Sequence, residues 1–136
     1  MDTSETYIKM CEKAEDIQDS RWLGGLVHGD YFSRLDRWEG NCDIFGGVDR
    51  HYKGEITKGF IWLPRQDQLQ KMAGVSKAWH FLEWIKRITF KPISEGISPD
   101  VLLQYDTQWS MEQLWLAFVM QEKYGKVWNE EEWKPL

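Results

Sequence analysis

Lys77, His80, Trp84, Arg87 and Lys91 recur at steps of three and four residues. Such spacing sets four cation-capable side chains around one indole on a single helix face. That grouping suits anion binding, with the indole stacked on a base and the cations against phosphate. Arg65 and Gln68 form a second candidate. They follow Pro64 at an expected helix start, where free backbone N–H groups favour a carboxylate or phosphate. Each group also has a purely local explanation. Lys86, Arg87 and Lys91 suit a helix C-terminus through the helix dipole, and Asp67 suits an N-terminus while Arg65 pairs with a nearby acid. His28-Gly29-Asp30 is the third group, and Cys42, Asp43 and His51 can be added to it as metal or acid–base candidates. None of these has the spacing of a known ligand set, and no phosphate loop or nucleophile elbow occurs. We therefore expect no catalytic residue, metal or cofactor.

The elements that hold these groups follow from periodicity and punctuation. Tyr7, Met10, Cys11, Ala14 and Ile17 predict one helix over 3–22, capped by Thr3 or Ser4 and ended by Gly24-Gly25. Turn-prone residues separate β-prone runs at 26–32, 42–48 and 60–63, which predict a small antiparallel sheet or a set of ordered loops. Pro64 is expected as the first residue of a helix over 64–73, broken by Gly74. Ser76 caps a helix over 77–91 that Pro92 stops, and a short helix follows at 99–105. On the 77–91 helix, Ala78, Phe81, Leu82, Ile85, Ile88 and Thr89 are expected to face the core, leaving Trp84 and the cations to solvent. Ser110 and Gln113 form a capping box for a helix over 111–124, ended by Gly125. Met111, Leu114, Trp115, Phe118 and Val119 are expected inward on that helix, with Gln113, Gln121 and Lys123 pointing away. Trp128 and Trp133 are expected to bring the tail back onto the body.

The chain has 136 residues, with 17 Lys and Arg against 22 Asp and Glu, a net charge of −5. That acidity argues against a general duplex-binding protein. Nine tryptophans argue against disorder, because each indole must bury area or meet a partner. Cys11 and Cys42 do not make a disulfide framework, so a reducing compartment is expected. No apolar run approaches the roughly 18 residues of a membrane span, and residues 1–16 lack the apolar stretch of a secretory signal. The expected location is cytoplasmic. The expected architecture is α+β, a mainly helical single domain over 1–136 with a small antiparallel β element from the 26–63 region.

Three segments taken together, residues 7–15, 62–69 and 110–120, resemble small proteins encoded by tailed phages and prophages of Gram-positive bacteria. The resemblance implies a setting, an accessory protein made inside a bacterial host, and no activity or catalytic residue. The leading expectation is a non-enzymatic interaction module whose partner is a host or phage protein. Tryptophans in excess of a core's needs motivate it, because Trp and Arg dominate binding hot spots. One alternative is a nucleotide or single-stranded nucleic-acid binder using the basic face with Trp84. Another is an enzyme, metal-dependent in one version, built on His28 and Asp30.

Overall fold

A computed structural model describes residues 1–24, 29–34, 42–44, 60–74, 77–89 and 109–136. The chain enters through helices α1 (Glu5–Lys13) and α2 (Glu15–Gly24), then forms strands β1 (Tyr31–Arg34), β2 (Cys42–Ile44) and β3 (Phe60–Leu63). Helices α3 (Gln66–Ala73), α4 (Ala78–Thr89) and α5 (Met111–Tyr124) follow, and strands β4 (Lys126–Trp128) and β5 (Trp133–Pro135) close the described chain. The fold is α+β and mainly helical, with its antiparallel sheet in the 26–63 region as expected. Strand order is β2-β1-β3, with Phe32 opposite Trp62 and Phe32 opposite Asp43. β4 and β5 pair as a separate antiparallel hairpin, with Trp128 opposite Trp133.

Helix α5 is the centre of the molecule. Every residue from Trp115 to Met120 is buried, and six consecutive residues sweep the whole circumference of a helix. It meets α3, α1, α4 and β4 on its different sides. Its ends obey the local code. Ser110 Oγ accepts the Gln113 N–H at 3.1 Å, Gln113 Oε1 accepts the Ser110 N–H at 3.3 Å, and Gly125 ends the helix in the left-handed region at φ 63°. Gln113 does not point to solvent as expected. It is buried, and its amide donates to Ser4 Oγ at 3.2 Å, so the N-termini of α1 and α5 share one cap network. Asp2 completes that network by accepting from Ser110 Oγ at 2.5 Å and from the Ser4 N–H at 2.8 Å. Met111, expected inward, is exposed at the start of the helix.

Three expectations about the elements need correction. The helix expected over 3–22 is two helices that meet at Ala14. The helix expected from Pro64 begins at Gln66, with Arg65 as its N-cap, because the Arg65 N–H is satisfied by Gln68 Oε1 at 2.9 Å. In the run expected as a strand over 26–32, Gly29 and Asp30 lie outside any strand and β1 begins at Tyr31, while residues 26–28 lie outside the described residues. The 99–105 helix, Ser76, Lys91, His28 and His51 lie outside the described residues. The tail folds back as expected: Trp128 and Trp133 are buried 5.1 Å apart, and the Trp133 indole N–H donates to Met10 O at 2.9 Å.

Candidate functional site

Helix α4 carries His80, Trp84 and Arg87 of the expected site, and its orientation decides what that site is. Phe81 and Trp84 are buried, and Ile85 and Ile88 are half-buried. These positions at i, i+3, i+4 and i+7 define the inward arc. Phe81 stacks on Trp115 with ring centroids 3.6 Å apart, and Trp84 meets Phe118 edge-on at 5.7 Å. The Trp84 indole N–H donates to Gln121 Oε1 at 2.9 Å. Trp84 is only 2% exposed, so it is a core residue and offers no stacking surface. The expectation that placed it on the solvent stripe is wrong by a rotation of the helix. Ala78 and Leu82, expected inward, are exposed instead.

Among the described residues, the cations of that face do not assemble around an indole pocket. Lys77 reaches toward α5 and pairs with Glu122 at 3.2 Å, while His80 and Arg87 are exposed. Lys86 is exposed and pairs along the helix with Glu83 at 3.4 Å. Two large apolar residues of α4 face out instead: Trp79, which the pattern did not single out, and Leu82, which it placed inward, are 66% and 50% exposed. At 100° per residue Trp79 lies about 170° from the middle of the buried arc, the most solvent-facing position α4 offers. The missed signal was phase. Apolar residues span about 220° of this helix, from Trp84 round to Trp79, so periodicity alone allows more than one choice of inward side.

The second group is assembled, but its members serve one another. Gln68 Nε2 donates to Asp30 Oδ1 at 2.6 Å, while the Gln68 carbonyl caps the start of α3. Arg65 donates Nε to Asp67 Oδ1 at 2.9 Å and Nη2 to Asp67 Oδ2 at 3.1 Å, and its Nη1 donates to Gly29 O. The fork expected for an external carboxylate or phosphate is therefore closed by a carboxylate of its own chain. The hydrogen bonds from Arg65 hold the Asp67 carboxyl below its usual range, and the same contact raises the Arg65 guanidinium. Gly29 has φ 87°, and a Cβ there would lie 3.3 Å from Arg65 Nη1, so the close approach of the guanidinium requires glycine.

Asp30, the acid–base candidate, is fully buried at the entry to β1 with Gln68 as a partner. Among the described residues, no three His, Cys, Asp or Glu side chains are placed to hold a metal ion. Tyr7 is another buried titratable group near this node. Its hydroxyl donates to Pro64 O at 2.5 Å, and burial pushes the phenol well above its ordinary value. It is a neutral structural donor. No helix among the described residues is long and apolar enough to cross a membrane. No protein-family model matches the chain, and neither a curated protein nor a solved structure matches it.

Proposed function

We propose that the protein is a non-enzymatic interaction module that docks a partner protein on the outer face of α4, with Trp79 as the anchor. The observation that carries this reading is the 66% exposure of an indole on a helix whose opposite side carries the buried Phe81 and Trp84. Exposed indoles are the side chains that most often dominate a protein interface once their water is removed. Leu82, one turn further on, extends the apolar contact. His80, Lys86 and Arg87 border it, with Glu83 the one acid among them. The matching partner surface is an apolar cleft with carboxylates on its rim. In the setting that the resemblance implies, the partner is a host or phage protein in the bacterial cytoplasm.

The test is capture of a defined partner from host lysate by the wild type, followed by affinity measurements on purified components. Trp79→Ala weakens the complex by at least about tenfold, the usual scale for a hot-spot residue, while thermal stability is retained. Unchanged affinity for Trp79→Ala and Leu82→Ala removes the proposal. The nucleic-acid reading survives only with Trp79, not Trp84, as the stacking residue. It requires that a labelled single-stranded oligonucleotide bind with a strong salt dependence. A flat anisotropy signal at low salt eliminates it.

A further inference from the structure

The break at Ala14 is not written in the local sequence. No glycine or proline occurs between residues 5 and 23, and alanine is the strongest helix former of all. Tyr7, Met10, Cys11, Ala14 and Ile17, all buried, keep helical spacing straight through the break. Yet Ala14 has φ −86° and ψ 63°, far from helical values. Its N–H turns to Cys11 O at 3.1 Å instead of reaching Met10 O.

One long-range donor fills the position that the interrupted ladder vacates, and a second adds to a carbonyl that the Ala14 N–H already holds. Met10 O receives the Trp133 indole N–H at 2.9 Å from the C-terminal hairpin. Cys11 O receives Gln18 Nε2 at 3.0 Å. The same Gln18 amide then acts as a surrogate strand residue against β3, donating to Trp62 O at 2.9 Å and accepting the Trp62 N–H at 2.9 Å. β3 lies at one side of the β2-β1-β3 sheet, and Gln18 covers the peptide group of Trp62 that faces away from β1.

We infer that the α1–α2 elbow is a two-state joint locked by Trp133 and Gln18. With both seated, the segment bends at Ala14. With both released, residues 5–23 run as one helix, because the local sequence favours it and the bent form then leaves the Met10 carbonyl without its donor, while Cys11 O keeps the Ala14 N–H. Straightening lifts Gln18 from β3 and uncovers the Trp62 peptide group at the sheet side. Docking of the C-terminal hairpin thereby controls access to that backbone, at a place remote from the proposed docking face on α4.

The test uses the full chain with Trp133→Phe, which keeps a ring but removes the N–H, and Gln18→Met, which keeps length but removes the amide. Amide exchange and carbon-13 shifts at residues 14–16 report the state. In the bent form the Glu15 and Asp16 N–H groups begin a helix and have no helical acceptor. In the double variant their exchange slows by about fivefold to tenfold, the scale of one net hydrogen bond, and the Ala14 Cα shift becomes helical. Each single variant gives the same sign at smaller amplitude, which preserves the test if the double variant unfolds. Adding Ala14→Gly reverses the slowing by about fivefold through its lower helix propensity. The joint is refuted if Ala14 keeps its non-helical shift and these amides exchange at wild-type rates or faster in all variants.

Discussion

The orientation of α4 makes a quantitative prediction, because two tryptophans five residues apart have opposite fates. Replacing Trp84 by alanine removes an indole that is 2% exposed, loses the contacts with Phe81 and Phe118, and deprives Gln121 Oε1 of its donor. Large-to-small changes of this kind destabilise a core by about 3–5 kcal/mol, the spread depending on how far the site collapses. For a chain of this length that is a fall in Tm of about 10–20 °C. Trp84→Phe retains a ring against Phe118 and destabilises by about 1–2 kcal/mol, through the lost hydrogen bond and the smaller ring. Trp79→Ala removes a side chain that is 66% exposed and changes stability by no more than about 0.5 kcal/mol. The assay is urea unfolding of the three variants alongside the wild type, followed by far-UV circular dichroism. The decisive quantity is the difference between Trp84→Ala and Trp79→Ala. If the two midpoints agree, or if their order inverts, the inward face of α4 is misassigned and the docking proposal falls with it.

Two further outcomes test the node between β1 and α3. Gly29→Ala must place a side chain at φ 87° and 3.3 Å from Arg65 Nη1, so it destabilises by about 1–2 kcal/mol; a variant as stable as wild type in thermal melts contradicts that backbone geometry. Arg65 lowers the folded-state pKa of Asp67 below the unfolded value near 3.9, so the pair's contribution is complete above about pH 5 and is lost as pH falls through the folded value. The Asp67 side chain is 67% exposed, which limits that contribution to under about 1 kcal/mol. Urea midpoints recorded from pH 6 to pH 2 should therefore converge for wild type and Asp67→Asn at the acid end, and a constant gap excludes the linkage.

Trp84 and Gln18 also show where sequence reading succeeds and where it stops. Helix ends were legible because their signals act within four residues. Ser4 accepts the Tyr7 N–H at 3.2 Å, the Ser110–Gln113 box closes reciprocally, and Gly125 takes the left-handed turn. The strand over 60–63 was legible for the same reason, as a short apolar run bounded by a glycine and a proline. The Arg65 group was found as a cluster, and its local reading, pairing with a nearby acid, is what fills the fork, since Asp67 is two residues away; the Gly29 carbonyl it also holds, thirty-six positions off, was beyond the reach of that reading.

From its own string of residues this protein obtains its helix caps at Ser4, Ser110 and Gly125, its α+β character and the return of its Trp-rich tail. Tertiary contact alone chose which side of α4 turns inward, bent the helix at Ala14, and drew Gln18, Gln113 and Trp84 into the interior. The physical reason is the range of the forces involved. Capping and propensity are settled between neighbours along the chain. The phase of a helix with a broad apolar arc, and the partner of a buried amide, depend on groups as far off as the 123 positions that separate Met10 from Trp133.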